Sequence, residues 1–163
     1  MTKYFAKLDS KVENLYLKNG NIPLQGYKVI DIKVGHNEDN TASIKSFHNN
    51  DAEYVEYFMD EENNLKERPA FVGGYYLPSL DKFTDLKPFN SFVLNNTNFN
   101  FVTPLPWPDI DNDFVMLHTN NEWLVAWDNT NLQVQRWKKD ENQKVIEPKV
   151  IQVYNVETNT WNN

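Results

Sequence analysis

The chain has 163 residues, 40% hydrophobic and 14% aromatic, with 5 Trp, 8 Tyr and 10 Phe. That is enough for one domain or two small ones, and far too aromatic for a disordered chain. A net charge of −7, with no basic run, argues against nucleic-acid binding, which needs an electropositive face. The absence of Cys removes disulfides, thiol nucleophiles and thiolate metal sites.

No apolar run approaches the roughly 20 residues of a membrane span. The opening Met1–Lys7 has one short apolar patch and no signal-peptide core. These features predict a soluble protein made in a cytoplasm, with no membrane partner.

The N-terminal part reads as short strands. Lys3–Asp9 is one, and Glu13–Lys18 alternates polar and apolar residues before Asn19-Gly20, a strong hairpin signal. Tyr27–Val34 alternates well: Lys28, Ile30, Ile32 and Val34 form the more apolar face, and Tyr27, Val29, Asp31 and Lys33 the other. Ser43–Phe47 reads as another strand or the approach to a helix. One helix is predicted, from Asp51 to about Asn63. Asn50 is its cap, and Ala52, Val55, Phe58 and Met59 form an apolar stripe.

From Phe71 onward prolines punctuate the chain, so helices are not expected. Four hairpins are predicted: Ser91–Val102, Phe114–Ala126, Ala126–Trp137 and Val153–Trp161. Each places Asn, Asp or Thr between aromatic or aliphatic runs. Asn and Asp tolerate positive φ, as tight turns require. The segments look alike but are irregularly spaced, so they read as a degenerate hairpin repeat. A lone hairpin is marginal in water, so each must pack on something. The predicted fold is α+β: mainly antiparallel β, one helix in the N-terminal half, and a series of β-hairpins in the C-terminal half. A boundary near residue 87 separates an α+β domain, 1–87, from a hairpin region, 88–163.

Candidate chemistry is sparse. His36, His48 and His118 have no second His at ligand spacing and read as turn or surface residues. Asp109, Asp111 and Asp113 alternate like the start of a calcium loop. However, Phe114 stands where such a loop needs Gly, and Asn120 where it needs Glu. The acids Asp51, Glu53 and Glu56, with Asp60, Glu61 and Glu62, read as solvation of a surface helix and not as a glycosidase pair. Gly73-Gly74 stands alone, without a phosphate-binding loop. No catalytic residue, metal or cofactor is predicted. The tryptophans admit three roles: core, protein interface, or a platform for sugar rings.

Gly73-Gly74-Tyr75-Tyr76, Lys87-Pro88-Phe89-Asn90-Ser91-Phe92-Val93-Leu94 and Phe99–Pro108 together resemble a module of marine cyanophage virion proteins. In that pattern a Gly-x-Gly-Tyr start leads to a Lys-Pro-aromatic strand, an Asn/Asp turn, an aromatic strand and a Pro-x-Pro-aromatic-Pro exit. Tyr4–Asp9 is similar to the N-terminus of those proteins, and the Trp123, Trp127 and Trp161 segments to their tail-end hairpins. The likeness is strongest over 71–108, where Phe92 and Phe101 replace the usual Trp. The Asn- and Lys-rich composition fits a phage of an AT-rich marine host.

The resemblance implies a non-enzymatic structural or accessory protein of a tailed-phage virion, on the tail or capsid. Phe92, Phe101, Trp107, Trp123, Trp127, Trp137 and Trp161 are the candidate protein-interface residues. The partners implied are other virion proteins, with a homo-oligomer in the particle and a glycan as further candidates. The alternatives are a receptor- or glycan-binding tail module, and an intracellular effector or assembly factor whose acidic charge suits a basic host protein.

Overall fold

A computed structural model describes residues 2–20, 22–59, 68–105 and 123–163. The chain divides into two units, Met1–Pro88 with Phe92–Val102, and Phe89–Ser91 with Thr103–Asn163. Among the described residues it is mainly antiparallel β, with one short helix in the N-terminal half.

The first unit is built on a five-stranded sheet in the order β3-β1-β2-β4-β5. Its strands are β1 (Lys3–Tyr16), β2 (Pro23–Gly35), β3 (Tyr54–Tyr57), β4 (Tyr75–Leu77) and β5 (Lys82–Phe83). A two-stranded ribbon, β6 (Val93–Leu94) and β7 (Phe101–Val102), belongs to the same unit. Both faces of the sheet are buried in part. One carries Ala6, Leu8, Val29, Tyr57 and Phe83. The other meets the helix α1 (Thr41–Phe47) through Phe5, Ile44 and Tyr54. Further along, Leu15, Tyr75 and Leu77 pack with Leu94 and Phe101 of the ribbon.

Two register breaks shape this sheet. Lys7 pairs with Asp31 but Leu8 with Val29, so Ile30 is an extra residue on β2. A bulge of this kind reverses the alternation that follows. Val29 and Ile32 therefore share a face, with Val29 1% exposed, while Ile30 is 43% exposed and Val34 65%. The apolar face predicted from Lys28, Ile30, Ile32 and Val34 is split by that bulge. The second break lies on β1, where Asp9, Ser10 and Lys11 fall between the pairs Leu8–Val29 and Val12–Tyr27.

The helix predicted at Asp51 is a misplacement. Tyr54–Tyr57 is a strand paired with Tyr4–Lys7, and residues 60–63 lie outside the described residues. Tyr54 and Tyr57 bury opposite faces of the strand, and Tyr and Val suit a pleated position between two packed layers. Non-local pairing with β1 outweighs a local apolar stripe. The helix forms instead at Thr41–Phe47, and its signal is a short capping box. Asn40 Oδ1 accepts from the Ser43 N–H at 3.0 Å, and Ser43 Oγ accepts from the Asn40 N–H at 2.9 Å.

Gly73 and Gly74 have a steric explanation. Gly73 holds φ at +92°, and a Cβ on Gly74 would stand 2.8 Å from the Thr84 carbonyl oxygen. The pair lets the chain pass close to β2, where the Gly73 N–H donates to the Val29 carbonyl and the Val29 N–H to the Gly74 carbonyl, both at 2.8 Å.

The described strands of the second unit are β8 (Trp123–Asp128), β9 (Gln133–Lys138), β10 (Gln152–Asn155) and β11 (Thr160–Asn162). They pair as one antiparallel sheet in the order β11-β10-β9-β8. Within it β8–β9 and β10–β11 pair across the turns at Asp128–Gln133 and Asn155–Thr160, inside the segments Ala126–Trp137 and Val153–Trp161, and β9–β10 pairing joins the two. The predicted hairpin Phe114–Ala126 falls largely on 106–122, outside the described residues.

Three turns share one construction. Asn95, Asp128 and Asn155 each accept, through Oδ1, the N–H groups two and three residues on. In each, the fourth residue on has positive φ: Phe99 at 55°, Leu132 at 54° and Asn159 at 56°. The fifth residue on pairs back with the first. Asn and Asp thus act chiefly through the side chain, as Asx turns. The left-handed position falls on Asn in just one of the three.

Candidate functional site

The register of the second sheet sorts its side chains. Trp123 faces Lys138, Val125 faces Arg136, and Trp127 faces Val134 on the β8–β9 ladder. Arg136 then faces Gln152, and Tyr154 faces Trp161. Because side chains alternate between faces, Trp123, Trp127, Arg136, Lys138, Tyr154 and Trp161 share one side. Trp137 lies on the other.

Arg136 is central to the first side. Its guanidinium carbon is 4.1 Å from the Trp123 ring centroid and 4.3 Å from that of Trp161. Its Nε donates to Gln152 Oε1 at 2.9 Å. Trp161 also packs against Tyr154, with centroids 5.4 Å apart. A flat, weakly hydrated guanidinium stacks on aromatic faces more readily than an ammonium does. The arrangement ties β8, β9, β10 and β11 together through side chains alone. Lys138 Nζ adds a second cation 5.4 Å from the Trp123 centroid.

Beside Trp123 lies a pocket of about 340 Å³. Trp123, Lys138 and Gln152 line it from the sheet, and Ile146, Pro148 and Val150 from the segment before β10. That segment is unusually apolar for an exposed stretch: Ile146 is 46% exposed, Val150 57% and Ile151 41%. Residues 123–163 carry five basic and five acidic side chains, so the net −7 comes from the rest of the chain. A balanced, aromatic surface with exposed aliphatics is suited to contact and not to long-range electrostatic steering.

The seven sequence-predicted interface residues have different settings. Trp123 and Trp161 are half-buried and are brought together by Arg136. Trp127 is 9% exposed, and its Nε1 donates to Ser91 Oγ at 3.2 Å. Trp137 sits under Lys149, whose Nζ is 3.9 Å from the ring centroid. Its buried Nε1 has no acceptor among the described residues. Phe101 is 7% exposed and packs edge-on against Tyr75 in the core of the first unit, with Phe92 packed on the same cluster. Trp107 lies outside the described residues.

Arg136, Lys138, Gln152 and Tyr154 were not among the predicted residues. The available signal was that Arg136 is one of only two arginines in the chain and sits one residue before a tryptophan. Its stacking partners, however, are 13 and 25 residues away in sequence.

His36 is exposed after β2, and His48 caps the C-terminal end of α1. His118 and the run Asp109–Asp113 lie outside the described residues, as do Asp60, Glu61 and Glu62. No protein-family model, curated protein or solved structure matches the chain.

Proposed function

We propose that this chain is a non-enzymatic structural or accessory subunit of a tailed-phage particle, docked on the tail or capsid through the aromatic sheet of its second unit. The supporting observation is the half-buried pair Trp123 and Trp161 on Arg136, next to the exposed aliphatics Ile146, Val150 and Ile151. Tryptophan and arginine are the residues that most often anchor protein interfaces, because each presents a large rigid area with one polar handle. The resemblance over residues 71–108 supplies the virion context. In this reading the ribbons β6–β7, β8–β9 and β10–β11 form a hairpin series whose shared Asx turns hold the aromatic strands in register.

The test is a proteomic search of purified particles, followed by capture of particle proteins with the intact chain and with the double variant W123A/W161A. The expected result is that the chain is present in particles and that the variant loses capture. Absence from particles, or undiminished capture by a folded variant, overturns the proposal.

A second reading has its own support in the pocket beside Trp123. A half-buried indole next to Lys138, Glu147 and Gln152 offers a stacking surface with hydrogen-bonding groups around it, as a sugar ring requires. Binding on a glycan array that is abolished by Trp123→Ala, without capture of particle proteins, favours this reading over the first.

A further inference from the structure

The first unit carries a second concavity, of about 680 Å³, where β1 leaves the ladder. Asp9, Ser10 and Lys11 stand there against the single residue Lys28 of β2, so β1 bows out of the sheet. Leu8, Asp9 and Ser10 form the floor of the hollow. Along one side runs the segment 51–55, whose Glu53 carbonyl accepts the Leu8 N–H at 2.8 Å. On the other side stand Tyr27 and Tyr76, opposite each other on β2 and β4. In the sheet order β1 lies between the two walls.

Contacts within the chain hold these walls in place. Tyr76 packs on Phe83 with centroids 5.4 Å apart, and its hydroxyl donates to Asp81 Oδ1 at 2.6 Å. Across the hollow, Asn50 Nδ2 donates to the Tyr54 hydroxyl at 3.2 Å, and Asn50 Oδ1 accepts the Ala52 N–H at 3.1 Å. Asp9 Oδ1 accepts the Lys11 N–H at 3.1 Å. A site fixed in this way loses little freedom when a ligand enters.

The lining has a definite chemistry. Tyr27, Ile30, Val55, Tyr76 and Pro78 make it mainly apolar, while Asp9, Asp51 and Glu53 bring carboxylates to it. Glu53 is paired with Lys45 at 2.8 Å. Among the described residues, Asp9 and Asp51 form no ion pair, and no lysine or arginine lines the hollow. Tyrosine faces attract a cation, and carboxylates attract it further while repelling an anion. The volume lies in the range of small-molecule sites.

We infer that this hollow binds a small organic cation, a protonated amine carried on an apolar body, with the amine toward Asp9 and Asp51 and the body against Tyr27 and Tyr76. The inference rests on the first unit alone and is independent of the aromatic sheet proposed above for docking.

The experiment titrates the full chain near neutral pH with three probes of similar shape and different charge: phenethylamine, phenethyl alcohol and phenylacetate. Ring resonances of Tyr27 and Tyr76 read both affinity and location. Phenethylamine is expected to bind in the millimolar range and to shift both tyrosines. The alcohol and the acetate are expected to bind about fivefold more weakly or not at all. Asp9→Asn with Asp51→Asn should weaken the amine by about threefold or more and leave the alcohol unchanged, and added salt should also weaken the amine. Equal binding of the alcohol or the acetate, binding that leaves both tyrosines unmoved, or no shift at about 10 mM amine overturns the inference. The comparison of probes on the unaltered chain decides the matter even if the double variant does not fold.

Discussion

The Tyr75 hydroxyl donates a 2.7 Å hydrogen bond to Glu13 Oε2, reaching from β4 to β1 across the intervening strand β2. It passes over Gly26 of β2, where the tight neighbour is Leu15 and the Tyr75 ring is at ordinary contact distance. A Cβ there would lie 2.6 Å from Leu15 Cδ1 and 3.4 Å from Tyr75 Cδ1. Removing the hydroxyl with Tyr75→Phe leaves the ring packed and deletes a bond to a charged acceptor. We expect a loss of about 1–2 kcal/mol in urea unfolding. Gly26→Ala should destabilise as well, because fully buried Leu15 must shift to admit the methyl. A Tyr75→Phe midpoint equal to the parent's would show that the bond contributes nothing net.

Alkali should unfold the first unit through its tyrosines. Burial, then neighbouring Tyr4, pushes the Tyr57 hydroxyl up to about 12. Burial, then the bonds to Glu13 and Asp81, lifts Tyr75 and Tyr76 above the usual tyrosine range. The folded state therefore holds these protons more tightly than the unfolded chain does. That contribution is complete below about pH 10, the unfolded value, and is lost as pH rises toward the folded values. Phenolate absorbance should show part of the tyrosine signal lagging until circular dichroism reports unfolding. A single unperturbed titration with the fold intact would contradict this.

Leu132 is a place to gain stability. Its φ of 54° is strained for a side chain with a Cβ, and it is 46% exposed, so little packing is at stake. Leu132→Gly relieves that strain but adds freedom to the unfolded chain. The net should be a gain of about 0.5–1 kcal/mol, visible as a higher thermal midpoint. A lower midpoint would mean that Leu132 packs more than its exposure implies.

Arg136→Ala should separate Trp123 from Trp161 and loosen four strands at once. A guanidinium between two indoles contributes about 1–2 kcal/mol when partly shielded from water. Tryptophan emission should move to longer wavelength as the rings gain solvent. Arg136→Lys should restore little, because an ammonium lacks the flat face that stacks on both rings. Full recovery by lysine would indicate that charge alone holds the site.

The β-rich character, the aromatic strands and the turn sites were legible from local chemistry. Asn95, Asp128 and Asn155 mark turns because each side chain reaches N–H groups only two and three residues away. The same locality misled at Tyr54–Tyr57. There Ala52, Val55, Phe58 and Met59 have helical spacing, yet pairing with Tyr4–Lys7 supplies more than the stripe can. In β2, period-two alternation placed Ile30 with Ile32, and the bulge at Ile30 parts them.

The amino-acid order by itself determined an acidic, cysteine-free, aromatic chain rich in antiparallel strands, with Asn and Asp turns. These properties reside in composition and in contacts a few residues long. Only the tertiary structure decided which side of β2 is buried, that Tyr54–Tyr57 is a strand, and that Arg136 lies between Trp123 and Trp161. Each of those outcomes depends on strands meeting across long stretches of chain. Pairing and packing energy, summed over a whole sheet, there exceeds the preference of any one segment.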